Sequence, residues 1–298
     1  MEFILTAPQT QAQQDKEQLK RKIERGIKLL QAGEKVAREN SGQPLELCYS
    51  GGKDSDVILR LAQMAGVNFR AIYKNTTIDP PGTPTHAKKM GAEIVMPKLS
   101  FRQLIEKKGF PARQRRFCCE YLKEYKILDY AVSGIRAAES VKRAKLYTEP
   151  EKCHVYNKKE RVRFYMPILD WTDNDVKLFV ETEDIQCHPL YYNEAGEFCP
   201  DRRLGCMCCP LASLKKRRQE FVKYPKMLKL YLRAMAVYRE THPYKCDTVN
   251  DIYKELVMTL FCRNKQDFLL KFGKTMFDKE IDCKMFLEDY FNVELKKM

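Results

Sequence analysis

The sequence predicts an α/β protein that is built on a parallel sheet with helices on both faces. Short apolar segments alternate with helix-patterned segments between residues 45 and 136, which is typical of parallel strands because these need crossover connections. A glycine turn, Ser50–Ser55, follows the first predicted strand and precedes the first helix of this alternation. Ligands of such sheets bind beyond the carboxyl ends of the strands, so we expect the functional site at this turn.

The individual elements follow from apolar periodicity and from glycine and proline positions. Strands are predicted over residues 45–49, 69–73, 94–96 and 131–136, and helices over 10–40, 55–65, 83–90 and 100–108. Later elements are a basic hairpin or strand pair within 155–168, a helix from the N-cap Thr172 to about Thr182, and helices from Leu211 onward with breaks at Pro225 and Pro243. This pattern predicts three parts: an N-terminal helical segment (1–42), a central α/β domain with a cysteine cluster (43–210) and a helical C-terminal region (211–298).

Composition narrows the class of protein. The 298 residues include 12 cysteines and carry a net charge of +14. No apolar run approaches the roughly 18 residues that a membrane span needs, and the N-terminus lacks the pattern of a secretory signal. We therefore expect a cytoplasmic protein without a membrane partner, in which clustered cysteines indicate metal or redox chemistry rather than a disulfide scaffold.

Basic residues are dense in the 211–233 segment, which includes the run Lys215–Arg218. Two interpretations remain open. The charges can be solvated helix faces in a protein with a small anionic substrate, or they can form a docking surface for nucleic acid or an acidic protein.

The Ser50–Ser55 turn has the residue types that a phosphate site needs. Two adjacent glycines let backbone N–H groups converge on an anion, and the following helix N-terminus adds positive potential. Lys53 supplies a full charge, and the hydroxyls of Ser50 and Ser55 can donate hydrogen bonds to phosphate oxygens. Asp54 could cap the helix or hold Mg²⁺.

This turn resembles the SGGKDS pyrophosphate loop (PP-loop) of the adenine nucleotide α-hydrolase superfamily, and it differs from a Walker A loop, whose pattern is absent from the sequence. The superfamily includes N-type ATP pyrophosphatases and the adenylyl-sulfate (APS) and phosphoadenylyl-sulfate (PAPS) reductases. Five further segments resemble the PAPS reductase family in order and spacing: Arg116–Lys123, Gly134–Ser140, Pro167–Val176, His188–Tyr191 and Gly205–Pro210. The resemblance covers about 45–210 and implies a Rossmann-like PP-loop fold.

The resemblance also implies the residues of the site. It implies an adenine nucleotide whose phosphates lie on the loop, Mg²⁺ that accompanies ATP, and catalytic roles for Lys53, Asp54 and Arg136. A guanidinium suits phosphate or sulfate because it donates from two nitrogens at once. The implied nucleotide-binding residues are Ser50, Gly51, Gly52, Lys53, Asp54, Ser55, Asn75, Thr76, Gly134 and Arg136.

The cysteines offer two ligand sets. Cys206 and Cys209 form a C-x-x-C motif, a spacing that lets two thiolates reach one metal. With the adjacent pair Cys118 and Cys119 they resemble the [4Fe–4S] pattern of APS reductases. With Cys118 and Cys199 they resemble the iron–sulfur site of the DNA-phosphorothioation ATP pyrophosphatases. Structural zinc, or no metal at all, remains an alternative to the cluster.

Three functions are consistent with these observations. The first is AMP-forming cleavage of ATP or an adenylyl-sulfate-type nucleotide, coupled to sulfur transfer through the cluster, with nucleic acid as one acceptor. The second is APS or PAPS reduction with a sulfur donor or thioredoxin-like partner and a non-standard nucleophile, since Cys283 lacks the glycine and histidine of the family's E-C-G-x-H tail. The third is a non-catalytic nucleotide-binding module of a nucleic-acid or defence complex.

Overall fold

The computed structural model describes residues 10–111, 116–156, 160–242, 252–272 and 281–295. The chain divides into two compact units. The first unit comprises Met1–Asn75, Pro80–Met96 and Lys126–Leu204, and the second comprises Thr76–Asp79, Pro97–Tyr125 and Gly205–Met298. Each unit draws on more than one of the three segments predicted from the sequence.

Strands and helices alternate through the first half of the chain, and helices follow. The strands are β1 (Leu45–Tyr49), β2 (Phe69–Lys74), β3 (Glu93–Val95), β4 (Tyr130–Val132), β5 (Glu151–Tyr156) and β6 (Glu160–Tyr165). The α-helices in the described residues are α1 (Gln11–Ser41), α2 (Lys53–Ala65), α3 (Thr83–Lys89), α4 (Phe101–Lys108), α5 (Phe117–Leu122), α6 (Val141–Leu146), α7 (Asp173–Thr182), α8 (Leu214–Lys223), α9 (Pro225–Thr241), α10 (Ile252–Phe261), α11 (Lys265–Phe272) and α12 (Cys283–Phe291).

The predicted N-terminal helix is present as α1. A capping box between Thr10 and Gln13 begins it, and Gly42 ends it in the left-handed conformation. Its buried face repeats every three or four residues, as a helix packed on one side requires. Glycines let this face approach the sheet closely: a Cβ at Gly33 would lie 2.9 Å from the ring of Tyr165.

The sheet of the first unit has the strand order β3-β2-β1-β4-β6-β5. All neighbours are parallel except β5 and β6, which form an antiparallel hairpin at the edge. This confirms the predicted α/β class. From β1 the chain continues to β2 and β3 on one side of the sheet. Strand β4 then pairs with β1 on the opposite side. The order therefore reverses between β1 and β4, and this is the point where ligands of open parallel sheets bind.

Most predicted elements agree with the structure to within two or three residues. Two differ more. The hairpin predicted within 155–168 begins earlier, at Glu151. The fourth strand, predicted over 131–136, ends at Val132, so the prediction is wrong for 133–136. Ser133 N–H still donates to the Tyr165 carbonyl oxygen at 2.9 Å. The chain leaves the ladder at Gly134, which passes against the backbone of Asp54, where a Cβ would lie 3.0 Å from the carbonyl oxygen.

The second unit is helical in the described residues and has its own apolar core. Tyr231 lies at its centre, with ring centroids 5.4 Å from Phe101 and Phe110 and 5.2 Å from Phe221. The Tyr231 hydroxyl donates a 2.8 Å hydrogen bond to the carbonyl oxygen of Cys208. The break predicted at Pro225 falls between α8 and α9, and the one predicted at Pro243 lies outside the described residues.

Across the part of the chain that the structure describes, no helix has the length and apolar character that spanning a membrane requires.

Candidate functional site

The Ser50–Ser55 loop connects β1 to the first turn of α2 in the first unit. Gly51 adopts a positive φ of 74°, and a Cβ there would lie 2.7 Å from Thr83 Cγ2, so both the conformation and the space favour glycine. Gly52 is the N-cap of α2, and its carbonyl oxygen accepts a 2.7 Å hydrogen bond from Ser55 Oγ. The sequence thus folds here into a tight loop that ends at a helix N-terminus, a geometry that favours anions.

Asp54 holds the two cations of the predicted catalytic set. Its Oδ2 lies 2.9 Å from Lys53 Nζ, and its Oδ1 lies 2.7 Å from Arg136 Nε. Arg136 is only 1% exposed. Its remaining nitrogens donate to Asp173 Oδ1 at 2.7 Å and to the Trp171 carbonyl oxygen at 3.2 Å. The structure therefore brings Lys53, Asp54 and Arg136 together in one ion network.

The Lys53 side chain of the loop is buried, and its ammonium lies 5.7 Å from the centroid of the Tyr191 ring. Tyr191 also packs against the loop backbone, since a Cβ at Gly52 would lie 3.1 Å from its hydroxyl oxygen. Burial raises the pKa of Tyr191 to about 12. An anion on the loop would meet the Lys53 ammonium in this dry setting, where charges interact strongly, and would compete with Asp54 for it.

The first turn of α2 is anchored by a buried polar cluster. Asp56 is fully buried and accepts hydrogen bonds from the Tyr49 hydroxyl and from His86 Nε2, which lies 3.1 Å from both of its oxygens. Burial, followed by the charge of Asp56, raises the pKa of Tyr49. Burial and the nearby His86 lower the pKa of His188, whose ring meets that of His86 edge-on. These contacts fix the position from which the loop departs.

Further arginines add positive charge around Asp54. Arg203 donates a 2.6 Å hydrogen bond to the Glu139 carbonyl oxygen, and Arg143 forms an ion pair with the Glu139 carboxylate. Burial and the like charges of Arg203 and Arg136 lower the pKa of Arg143. This concentration of cations suits a polyanionic ligand.

Asn75 and Thr76, both predicted to bind nucleotide, fall in different units. Asn75 follows β2 in the first unit, where its N–H donates to the Val95 carbonyl oxygen at 3.0 Å. Thr76 belongs to the second unit and is 1% exposed. Its Oγ1 lies 3.6 Å from Cys206 Sγ, so the structure places Thr76 at the cysteine cluster.

Four of the five predicted ligand cysteines line one small cavity of about 20 Å³ in the second unit. They are Cys118, Cys119, Cys206 and Cys209. The fifth, Cys199, belongs to the first unit, where its thiol lies 3.6 Å from the Glu197 carbonyl oxygen. The cavity has the size of about one or two water molecules.

The C-x-x-C motif forms a tight turn. Cys208 has a positive φ of 51°, which is uncommon for a residue with a side chain. The turn is held at both ends: Met207 N–H donates to the Ile78 carbonyl oxygen at 2.7 Å, and Ala212 N–H donates to the Cys209 carbonyl oxygen at 3.0 Å. This geometry presents Cys206 and Cys209 to the same cavity.

The thiols of the cavity influence one another. A hydrogen bond with Cys118 and another from Arg116 lower the pKa of Cys119, although burial opposes them. The same bond to Cys119, followed by burial, raises the pKa of Cys118. Within the described ranges, no three Cys, His, Asp or Glu side chains already surround a common point as metal ligands do. The donors thus match a four-thiolate site in kind but are not gathered around a centre.

Lys123 lines this cavity as well. Burial acts to lower the pKa of the Lys123 amine. The negative charges of the neighbouring Cys206 and Asp79 outweigh this effect, so the pKa of Lys123 is raised. A cation therefore accompanies the thiols, but its charge only partly offsets the burial that raises the pKa of Cys206.

The basic run Lys215–Arg218 is partly committed to structure. Arg217 is buried. Arg218 donates to the Leu260 carbonyl oxygen at 3.0 Å and lies 5.3 Å from the centroid of the Phe261 ring. Lys216 lies 3.7 Å from the Glu220 carboxylate. Fewer charges of this run are available to a partner than the sequence suggests.

The sequence does not predict several residues of the site. Asp173 lies inside the Pro167–Val176 segment that carries the family resemblance, so its position in that segment could have indicated a role in the site. His86, Arg143 and Arg203 had no such signal, because only the folded chain brings them to the loop. The sequence assigns no role to Tyr191, the last residue of the His188–Tyr191 segment.

The fold and the site define an α/β protein with a phosphate-binding type of loop at the switch point of its sheet. The sequence model of the phosphoadenosine phosphosulfate reductase domain matches residues 44–212, more than half of the chain. The protein therefore belongs to this family, and with it to the PP-loop superfamily, as the loop and the five further segments predicted.

Curated relatives are also similar in sequence to this chain. An uncharacterized protein of Methanocaldococcus jannaschii is 30% identical over 58% of this chain and 43% of its own length. Sulfate adenylyltransferase subunit 2 of Shewanella halifaxensis is 25% identical over 72% of this chain and 81% of its own. The chain spans less than half the length of two curated relatives that it matches, the M. jannaschii protein and an uncharacterized protein of Escherichia phage 186.

Solved structures with some similarity include the PAPS reductase of Candida auris, with a TM-score of 0.42 and 15% identity over 67% of this chain and 97% of that one. The U34-tRNA thiolase NcsA of Methanococcus maripaludis, solved with its [4Fe–4S] cluster, has a TM-score of 0.37 and 18% identity over 80% of this chain and 84% of that one.

Proposed function

We propose that the protein binds ATP or an adenylyl-sulfate-type nucleotide on the Ser50–Ser55 loop and cleaves it at the α-phosphate, forming AMP. The observation that carries the proposal is the loop itself. It lies at the switch point of the sheet, opens helix α2, and joins Lys53 to Arg136 through Asp54. Membership of the PAPS reductase domain family supports the same site.

The chain's own residues supply binding and charge. The loop N–H groups and Lys53 would hold the terminal phosphates, or the sulfate of an adenylyl sulfate. Arg136 would neutralise charge that builds up as an acceptor oxygen attacks the α-phosphorus and pyrophosphate leaves. Asp54 would hold both cations in place, and the lone pairs that its oxygens retain could coordinate the Mg²⁺ that comes with ATP.

We further propose that Cys118, Cys119, Cys206 and Cys209 hold a [4Fe–4S] cluster, with zinc as the alternative. Four thiols lining one cavity support this, although the side chains must open the 20 Å³ cavity to admit a cluster. Such a cluster would supply a sulfide-binding centre, and attack of that sulfide on the adenylated carbon of the acceptor would break the C–O bond and release AMP. Anaerobic purification followed by iron, sulfide and zinc analysis tests the assignment. We expect about four irons per chain and their loss in Cys206→Ser but not in Cys153→Ser, an exposed cysteine outside the cavity.

Turnover of [α-³²P]ATP tests the cleavage. We expect labelled adenylate on the acceptor nucleic acid, its release as AMP when a sulfide donor displaces it, and the loss of both products in Lys53→Ala. Lys20→Ala removes the same charge from an exposed position of α1 and should keep full activity. ADP as the main product, or equal activity in both variants, would contradict the proposal.

The family match favours a second candidate, reduction of APS or PAPS with an external thiol. It requires sulfite release from adenylyl sulfate when thioredoxin is supplied. Cys283→Ser should leave this activity intact, because Cys283 is buried and the proposal assigns it no role. Sulfite without AMP formation from ATP would favour the reductase over the adenylating enzyme.

A further inference from the structure

A cavity of about 570 Å³ lies in the second unit, in the size range of small-molecule sites. Its walls come from the N-terminus of α8, the end of α10 and the turn that leads into α11. All of its lining residues belong to the second unit, whereas the Ser50–Ser55 loop belongs to the first. It is therefore not part of the loop site, and it shares Pro210 but none of the cysteines with the lining of the cysteine cavity.

The charges of this cavity are of one sign. Arg217, Arg263 and Lys265 line it, and among the described residues that line it there is no aspartate or glutamate. Arg217 is 8% exposed, so its charge is held within the wall, while Arg263 and Lys265 lie at the exposed side. Three cations in one wall make an electrostatic site for an anion.

Backbone geometry adds to the same potential. Helix α8 begins in the wall at Ser213, whose Oγ accepts from Lys216 N–H. Helix α11 begins beside it, where Asn264 Oδ1 accepts from Asp267 N–H at 2.9 Å, and the Asp267 carboxylate, which does not line the cavity, accepts from Arg263 N–H at 2.8 Å. The positive end of α8, whose first turn holds no acidic residue, thus accompanies the three cationic side chains.

The rest of the lining is apolar or carries hydroxyl groups. Phe110, Leu214 and Met258 supply apolar surface, and Ser213 and Thr259 supply hydroxyls. A free inorganic ion would leave these apolar walls unused. We propose that this cavity binds a phosphate ester with an apolar or aromatic body, the chemistry of a nucleoside monophosphate, either as a free molecule or as the 5′-phosphorylated end of a single strand.

Equilibrium dialysis of labelled cytidine 5′-monophosphate (CMP) against the full chain tests the proposal. We expect saturable binding of one CMP per chain. Arg263→Gln/Lys265→Gln should weaken it at least about tenfold, because a charge-assisted hydrogen bond is lost at each position. The matched control Lys226→Gln/Arg233→Gln removes one lysine and one arginine from exposed positions of α9 and should change the affinity less than twofold.

A Lys53→Ala variant separates this site from the proposed nucleotide loop, and it should bind CMP as the unmodified protein does. Loss of CMP binding in Lys53→Ala would place the ligand on the loop and overturn the proposal. So would equal losses in the two double variants, or no saturable binding by folded protein. Failure of ATP cleavage leaves this result untouched, so the two proposals fail separately.

A second arm distinguishes the two sources of the phosphate. A short oligodeoxycytidylate is compared with and without a 5′-phosphate. Tighter binding of the phosphorylated strand than of CMP, lost in Arg263→Gln/Lys265→Gln, assigns the cavity to strand ends. Binding of CMP with no effect of the 5′-phosphate on the strand assigns it to a free nucleotide.

Discussion

Asp54 lies between the two cations that the loop can offer to a nucleotide. Its carboxylate contacts Lys53 and Arg136 within 2.9 Å, and both cations are buried. The carboxylate therefore has opposite effects on binding and on geometry. It holds the cations in position, and it opposes the arrival of a phosphate through its own negative charge.

This opposition predicts the effect of Asp54→Asn. The amide keeps the shape and can still accept from Arg136, but it removes a negative charge a few ångströms from the ligand. At an effective dielectric constant near 20 such a change exceeds 1 kcal/mol, so the affinity for inorganic pyrophosphate without Mg²⁺ should rise at least about fivefold. AMP formation should fall, because the positions of Lys53 and Arg136 are less fixed. Titration calorimetry measures the affinity.

Asp173→Asn is the matched control for Asp54→Asn. Asp173 contacts the same guanidinium at 2.7 Å, but its side chain is 53% exposed. Solvent screens its charge more strongly, so its replacement should raise pyrophosphate affinity less than Asp54→Asn does. Equal effects of the two variants, or a lower affinity in Asp54→Asn, would show that Asp54 does not compete with the ligand.

The elements of the site meet through backbone contact as well as through side chains. The segment after β4 passes so close to α2 that a Cβ at Gly134 would lie 3.0 and 3.1 Å from the carbonyl oxygen and carbon of Asp54. Backbone atoms in a packed helix cannot move aside as a flexible side chain can. The absence of a Cβ at Gly134 therefore sets how closely Arg136 approaches Asp54.

Gly134→Ala should lower the free energy of unfolding by about 2 kcal/mol, the usual cost of overpacking. It should also weaken nucleotide binding, because the added methyl group pushes the first turn of α2 away from Arg136. Urea unfolding measures the stability. Gly205→Ala is the stability control, since a Cβ there meets no atom within 4 Å, and equal losses in the two variants would refute the close contact.

The helix α1 is held to α7 by a buried ion pair. Lys22 Nζ lies 2.6 Å from Asp175 Oδ2, and both side chains are 8% exposed. Burial acts to raise the pKa of Asp175, but hydrogen bonds from Lys22 and Thr172 and the charge of Lys22 outweigh it and hold the pKa below its usual value. A carboxyl with a lowered pKa in the folded state stabilises the protein above its unfolded pKa.

Lys22→Met should therefore lower the free energy of unfolding at pH 7 by about 3 kcal/mol, because it leaves a buried carboxylate without its cation. As the pH falls below the unfolded pKa of about 3.9 and through the lower folded pKa, Asp175 takes up a proton and the difference should shrink. Urea unfolding across this range measures it.

Arg25→Met is the control for Lys22→Met, because its pair with Asp170 is 66% and 52% exposed and should contribute little. A deficit in Lys22→Met that stays constant or grows on acidification would contradict the assigned role of Asp175.

Local elements were predictable from the sequence, and long-range contacts were not. The sequence predicts β1 at 45–49, as the structure has it. The apolar run indicates a strand, and the two glycines that follow indicate where the strand ends. Residues 133–136 have strand-like composition, but their contact with Asp54 decides their path. Lys22 and Asp175 are 153 positions apart, and the positions of two charged residues so far apart give no sign that they pair.

At the scale of the whole molecule, the residue range that the family model matches contains some of the candidate sites but not all of them. The matched range, 44–212, contains both the Ser50–Ser55 loop and the C-x-x-C motif. It ends before α8, so the cationic cavity lies mostly among helices beyond the match. The loop therefore carries the family's expected chemistry, and the C-terminal helices are where features particular to this chain are expected.

The Ser50–Ser55 loop is proposed to bind the terminal phosphates of an adenine nucleotide. Titration calorimetry of the full chain with ATP and with AMP tests this most directly, in the unmodified protein, Lys53→Ala and the control Lys20→Ala. We predict tighter binding of ATP than of AMP in the unmodified protein and in Lys20→Ala, and loss of this difference in Lys53→Ala. Equal affinities for ATP and AMP in the unmodified protein, or a preference for ATP that survives Lys53→Ala, would contradict the claim.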